Sequence, residues 1–248
     1  YTLAENVPTE LVSHIKEQSR FYTGIEVRID TNREYYDGEI APHIIGYYDY
    51  INAEEYNAKT EEYKNALNDE NLTEEEKEIL RLRAYGMTDK LGKFGIESAY
   101  EDELRGTNGV LTTVTNGDGS KTTSVTTVPV NGNNVILTID GDFQKKVQDI
   151  LSSKINLTKE QGKIDTAGSI VVMDVKDFSV LACASYPSYN LETYKENIVE
   201  LNKDKSAPLW NRALRSTYAP GSTAKPCIGF AGLEEGIVTA DSTIWCDL

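Results

Sequence analysis

Two hydrophobic periods run along this chain and keep to separate stretches. Leu11, Val12 and Ile15 share one helical face, and so do Tyr56, Tyr63 and Leu67. Phe143, Val147, Ile150 and Leu151 recur at i, i+4, i+7 and i+8, the spacing of an amphipathic helix with Asp142 as its expected N-cap. Ile25, Val27 and Ile29 alternate as a strand does. Val110 to Thr115 and Lys121 to Val130 flank Asn116-Gly117-Asp118-Gly119, whose residues tolerate the positive φ angles of a tight turn, so a β-hairpin is expected there. Val135 to Ile139 reads as a further strand. Ile170 to Val175 and Phe178 to Ala184 are apolar runs about Lys176-Asp177, a hairpin expected in a well-covered sheet. A polar loop is expected from there to about residue 207. The Pro220-Gly221 turn then leads into a helix ending near Gly236.

Residues 54–81 differ in kind, with ten Asp/Glu and four Lys/Arg. Thr73 and Glu76 have capping-box spacing, and Gly86 is a stop signal, so two acidic helices are expected. The charge run fits a solvated face better than an acidic binding surface.

Composition narrows the function. The chain has 248 residues and a formal net charge of −15. One or two domains are expected, with enough chain to bury a core. The charge argues against nucleic acid, which is held by clustered Lys and Arg, and against a grip on anionic lipid. Both histidines lie in the first 43 residues, a poor basis for a serine–histidine triad or a histidine-rich metal site. His43 is expected to be a satisfied core histidine. Cys183, Cys227 and Cys246 lack ligand spacing and are expected as free thiols. No apolar run reaches the roughly 18 residues of a membrane helix. The chain begins at Tyr1 and stops at Leu248 without a terminating element, so an internal piece cut at both ends is expected.

One segment looks like chemistry. Tyr218-Ala219-Pro220-Gly221-Ser222-Thr223-Ala224-Lys225-Pro226 contains S-x-x-K at a loop-to-helix junction. At i and i+3 on a helix, the Lys225 amine can reach the Ser222 hydroxyl. A serine is a weak nucleophile until a base takes its proton, and a neutral lysine is such a base. Desolvation and the positive end of a helix dipole both favour the uncharged amine. Backbone N–H groups at a helix start, that of Ser222 included, can stabilise an oxyanion. The motif alone says little: Ser13-His14-Ile15-Lys16 also matches it, and Ser222 equally fits an ordinary helix N-cap.

Ser222-Thr223-Ala224-Lys225 in its Pro-Gly setting resembles the active-site motif of penicillin-binding proteins, the family for which S-x-x-K is a signature. Other matches follow in family order. Leu137-Thr138-Ile139-Asp140 with Phe143-Gln144 resembles the opening of the transpeptidase domain, and Gly168 to Asp174 with Val180 to Asn190 resembles its first hairpin. Asn211-Arg212-Ala213 resembles the Asn-Arg-Ala before the motif. Upstream, His43 to Tyr47, Gly92 to Glu97, Tyr100-Glu101 and Leu104-Arg105-Gly106 resemble the non-catalytic N-terminal domain. Together they resemble class B, the monofunctional transpeptidases of the elongation branch.

The resemblance implies an α+β fold. An elongated N-terminal pedestal of dimerisation type would span 1–130, and the first portion of a serine transpeptidase domain 131–248. It implies that Ser222 attacks the penultimate D-alanine carbonyl of a peptidoglycan stem peptide, with Lys225 as base and the Ser222 N–H as an oxyanion donor. β-Lactams would acylate Ser222. No cofactor or metal is implied. A membrane glycan polymerase and elongation proteins are implied partners, at the extracytoplasmic face of a bacterial membrane. Glu97, Glu101 and Arg105, with Asn211 and Arg212, are expected as structural motif residues, the first three as an ion-pair network rather than a partner contact. Only 248 − 225 = 23 residues follow Lys225, and they hold neither S-x-N nor K-[ST]-G. Ser188-Tyr189-Asn190 precedes the serine and is a decoy, and Lys121-Thr122-Thr123 is no K-T-G. This chain alone is therefore expected to be inactive. A scaffold of the elongation machinery is the alternative. A β-lactam sensor or β-lactamase shares S-x-x-K but not the Gly92-to-Gly106 signature.

Overall fold

The computed structural model describes residues 1–248 apart from 1–2, 5–6, 19–20, 23, 26, 28–32, 116, 118–120, 163–166, 244 and 246–248. Packing separates two compact units, 1–36 and 37–248. In the first, α1 (Thr9–Glu17) carries Leu11, Val12 and Ile15, the expected helical face. Ile25 and Val27 lie in no strand, contrary to their alternation, and Ile29 is outside the described residues.

The second unit begins with a strap, residues 37–46, that ends in the single turn α2 (Pro42–Ile45). Strand β1 (Tyr48–Tyr50) follows, then α3 (Ala53–Leu67) and α4 (Glu74–Leu82). Both helices open with complete capping boxes, Asn52 with Glu55 and Thr73 with Glu76, which satisfy otherwise orphaned N–H groups. The second helix stops at Leu82 with Arg83 as its cap, short of the expected Gly86. The chain is diverted because Asn108 N–H bonds to Leu82 O, and the Asp89 carboxylate accepts from Gly86 N–H. Strand β2 (Lys90–Gly92) then pairs antiparallel with β1, Tyr48 opposite Gly92.

Two short helices, α5 (Gly95–Ala99) and α6 (Glu101–Leu104), close against this ribbon. The approach is too tight for a side chain. A Cβ on Gly92 would sit 2.0 Å from Glu97 O, and one on Gly46 1.8 Å from Phe94 O. The expected hairpin is β3 (Val110–Thr115) with β4 (Lys121–Thr127), antiparallel with a bulge at Val110/Leu111. Of its turn, Asn116, Asp118 and Gly119 lie outside the described residues.

The segment 135–139 is not a strand, although its burial alternates. It runs along β6, and its described main-chain tie is Asp140 N–H to Leu181 O, too little for a ladder. Helix α7 (Gly141–Glu160) is capped by Asp140, whose carboxylate accepts from Phe143 N–H at 2.8 Å. The expected cap, Asp142, instead lies in the first turn, where its charge suits the helix dipole. Strands β5 (Gly168–Met173) and β6 (Val180–Tyr186) form the third antiparallel pair. Val147, Leu151 and Ile155 of α7 bury against Ala182 and Ala184, with Ile170, Val172 and Tyr186 beside them. Each large side chain so buried contributes roughly 1.5–3 kcal/mol. The opposite face is covered only in part: Cys183 and Ser185 are buried there, whereas Val171 and Met173 remain 45% and 47% exposed.

The stretch expected as a polar loop contains α8 (Tyr194–Lys203). Tyr194 is buried against Tyr47, ring centroids 4.2 Å apart, so tertiary packing supplies the helix with an anchor that its polar sequence hides. Helix α9 (Arg212–Arg215) and α10 (Lys225–Glu234) complete the chain. Among the described residues, no helix is long and apolar enough to cross a membrane.

Candidate active site

The S-x-x-K motif does not open an α-helix directly, as the spacing suggested. Gly221–Ala224 form a 3-10 turn, and α10 begins at Lys225. The Lys225 backbone N–H donates to Ser222 O, closing the i to i+3 ring of that turn. In a 3-10 turn, side chains at i and i+3 eclipse, so Ser222 and Lys225 project from one side. Gly221 reaches φ +53, a turn that suits a residue without Cβ even though a Cβ there would meet nothing within 4 Å. Thr223 is tied back to Pro220 O through both its N–H and its hydroxyl. Ser222 stands in the first residues of the turn, where N–H groups lack intrahelical acceptors. Ser222 and Lys225 are exposed. So is the helix behind them: Ile228 and Phe230 are 68% and 69% exposed, and no residue of α10 is buried. A helix this apolar on every side belongs in a protein interior.

Upstream of the motif the packing is dense. Asn211 is 2% exposed and caps α9, its Oδ1 accepting from Leu214 N–H at 3.1 Å. Its Nδ2 donates to His43 O at 3.1 Å. Ser185 of β6 accepts from the N–H groups of Arg212 and Ala213 at 3.1 and 3.2 Å. The Arg212 guanidinium turns inward and donates to the carbonyls of Ser206, Ala207 and Trp210, so this buried charge ends on main-chain oxygens. His43 is a core histidine: 4% exposed, Nε2–H donating to Pro208 O at 2.7 Å, edge-on to Tyr189. Burial holds its basicity below the ordinary imidazole value, and the Arg212 charge pushes the same way.

Glu101 and Arg105 come together as an ion pair at 3.9 Å, but the stronger partner is Asp89 at 2.6 Å, which sequence reasoning did not single out. The Arg105 guanidinium stacks 3.5 Å from the Tyr85 ring centroid. Tyr85 donates to one Glu101 oxygen at 3.0 Å, and the other accepts from Gly92 N–H at 2.9 Å. Burial, first, and the Glu101 charge raise the Tyr85 pKa. Glu97 is 7% exposed on α5, its carbonyl backing Gly92. These contacts gather between residues 85 and 105, apart from the turn that carries the serine.

Also unforeseen were the roles of Gln144 and Gln148. Both sit on the buried stripe of α7 at i and i+4, and polar residues on an apolar stripe were the available signal. Cys183 is buried, Cys227 is exposed, both are free, and Cys246 lies outside the described residues. Among the described residues no group of three or more His, Cys, Asp or Glu gathers as a metal site.

The chain matches the penicillin-binding protein dimerisation domain over residues 1–137 and the penicillin-binding protein transpeptidase domain over 168–248, and it belongs to the penicillin-binding protein family. It is 32% identical to the peptidoglycan D,D-transpeptidase MrdA of Haemophilus influenzae, over 98% of this chain and 34% of that one. Among solved structures it resembles the penicillin-binding protein PBP2 of Helicobacter pylori in complex with MreC, with TM-score 0.62 and 25% identity over 85% of this chain and 34% of that one. It also resembles Pseudomonas aeruginosa PBP2 in complex with WCK 5153, with TM-score 0.55 and 28% identity over 87% of this chain and 38% of that one. The chain thus spans about a third of the length of the relatives it matches.

Proposed function

We propose that the protein to which this chain belongs is a peptidoglycan D,D-transpeptidase of the cell-elongation machinery, with Ser222 as nucleophile and Lys225 as its base. The observation that supports this reading is the single turn between serine and lysine, closed by the Lys225 N–H to Ser222 O bond, within the stretch matched by the transpeptidase family. In the reaction, the Ser222 hydroxyl proton passes to the neutral Lys225 amine as Oγ bonds to the penultimate D-alanine carbonyl carbon of a stem peptide. The Ser222 N–H donates to the carbonyl oxygen as it becomes an oxyanion. The C–N bond to the terminal D-alanine then breaks, and that amine leaves with a proton. A neighbouring stem's amine attacks the resulting ester, forms the cross-link and frees Ser222. A β-lactam presents a strained amide to the same serine.

The pedestal, 1–130, would hold a catalytic module beginning at 131. The similarity to a PBP2 solved in complex with MreC supports an elongation-complex partner, and the family supports a place outside the cytoplasmic membrane. Asn211 and Arg212 would act structurally, fixing the approach to Ser222, and Glu97, Glu101 and Arg105 would set the pedestal.

Intact mass spectrometry tests the reading. The longer protein carrying this sequence is expected to gain the mass of one penicillin, and Ser222→Ala to gain none. An adduct that persists in Ser222→Ala would overturn the assignment.

A further inference from the structure

Two amide side chains of α7 form a relay that the fold alone does not require. Cys183 of β6 turns its N–H and C=O away from β5. Gln144, fully buried, takes both, accepting from the N–H at 2.7 Å and donating to the C=O at 2.9 Å. The same Nε2 donates to Gln148 Oε1 at 2.8 Å. Gln148 Oε1 also accepts from Ala41 N–H at 2.9 Å, and its Nε2 donates to Glu39 O at 2.8 Å. A continuous chain of hydrogen bonds therefore runs from β6 through α7 to the strap. Asn211 makes a second leg, from the α9 cap to His43 O. An uncharged amide can both accept and donate, as each link of such a chain requires, whereas a carboxylate or an ammonium cannot. Chains of this kind in a buried setting polarise one another and respond as a unit.

We propose that Gln144, Gln148 and Asn211 are positioning residues, an amide relay that couples the strap at 39–43 to strand β6 and to the α9 cap leading to Ser222. The consequence at Ser222 rests on the transpeptidase reading, whereas the coupling itself does not. Displacing the strap, as a partner gripping the pedestal would, then loosens the Cys183 edge and the Leu214 cap together.

Residue-resolved amide exchange on this chain tests the coupling. Gln148→Glu keeps the acceptor for Ala41 but removes the donor to Glu39. Asn211→Asp keeps the α9 cap but removes the donor to His43. Each is expected to raise exchange at the end it does not touch by about fivefold, the change one net hydrogen bond represents. For Gln148→Glu that end is Leu214, and for Asn211→Asp it is Ala41. A rise confined to amides bonded to the substituted residue would overturn the proposal, and using both variants guards against one failing to fold. In the longer protein, the same variants are expected to slow penicillin acylation about fivefold at unchanged initial affinity. Unchanged acylation with a released strap would also overturn it. If the wild-type protein takes up no penicillin, the enzyme reading fails and the exchange data alone decide the coupling.

Discussion

Arg105 donates to Asp89 at 2.6 Å while its guanidinium lies 3.5 Å from the Tyr85 ring centroid, so one side chain closes an ion pair and a stack at once. Its side chain is 12% exposed and that of Asp89 33%. Removing one partner leaves the other charge half-buried. Arg105→Ala is expected to cost about 2–3 kcal/mol in urea unfolding, below the range for a fully buried pair because Asp89 keeps some water. Arg105→Lys is expected to recover little, since an ammonium lacks the planar fork and the stack. A loss under about 0.5 kcal/mol, the level of an ordinary surface change, would contradict this.

Ser185 stands in for a helix cap on a different element, accepting from Arg212 and Ala213 N–H. Ser185→Ala is expected to destabilise by about 1–2 kcal/mol, the cost of a lost cap. Ser185→Thr keeps the oxygen and should lose less. Thermal unfolding of the pair decides it, and equal losses would rule out the capping role.

His43 gives the chain a pH-dependent stability. Its folded-state pKa is depressed, by burial first, so the folded state binds fewer protons than the unfolded state just below the ordinary imidazole value. The stabilisation is complete above about pH 6.5 and is lost as pH falls below that value. In a His14→Gln background, stability is expected to decline from about pH 6.5 to 5, and His43→Gln to flatten that slope. A slope that survives His43→Gln would have another source.

Helix α10 carries its apolar side chains into water, with Phe230 69% exposed and no residue buried. In this chain Phe230→Ser is therefore expected to change stability by less than about 0.5 kcal/mol. Penicillin is expected to give no adduct on the chain, because Ser222 and Lys225 both stand exposed to solvent. A core-sized loss from Phe230→Ser, or a stable adduct, would show that the helix is covered in solution.

The two described thiols should differ sharply. Cys227 is exposed, whereas Cys183 is buried and desolvation raises its pKa. Maleimide labelling followed by peptide mapping is expected to mark Cys227 in the native chain and Cys183 only after unfolding. Early labelling of Cys183 would mean that the β6 edge opens readily.

Much of the local architecture could be read from neighbouring residues. Thr73 with Glu76 caps α4, the Val and Thr runs at 110–115 and 121–127 pair, and Val147 with Leu151 faces a sheet. Each of these depends on interactions within a few positions or on one hydrophobic period, which sequence displays directly. The turn that carries Ser222 and Lys225 was legible for the same reason, since it spans only four residues. The 3-10 geometry of that turn was not, nor was the cap at Asp140, because termini are settled by small differences among competing hydrogen bonds.

Other features depended on residues far apart in the chain. Val135 to Ile139 has strand residues, yet its described ties to β6 are a side-chain bond from Thr138 to Val180 O and one main-chain bond from the following Asp140 to Leu181 O, too few for a ladder. Tyr194 turns a polar stretch into a helix by packing on Tyr47, and Asp89 displaces Glu101 as the main partner of Arg105. By itself the sequence determined the family, the serine–lysine turn and most of the helices and strands, because those are written in local spacing. Only the tertiary structure decided which buried donors and acceptors meet, as with Asn211 and His43, which lie 168 positions apart. Burial makes every unpaired polar group costly, and which groups are buried together is a property of the whole fold.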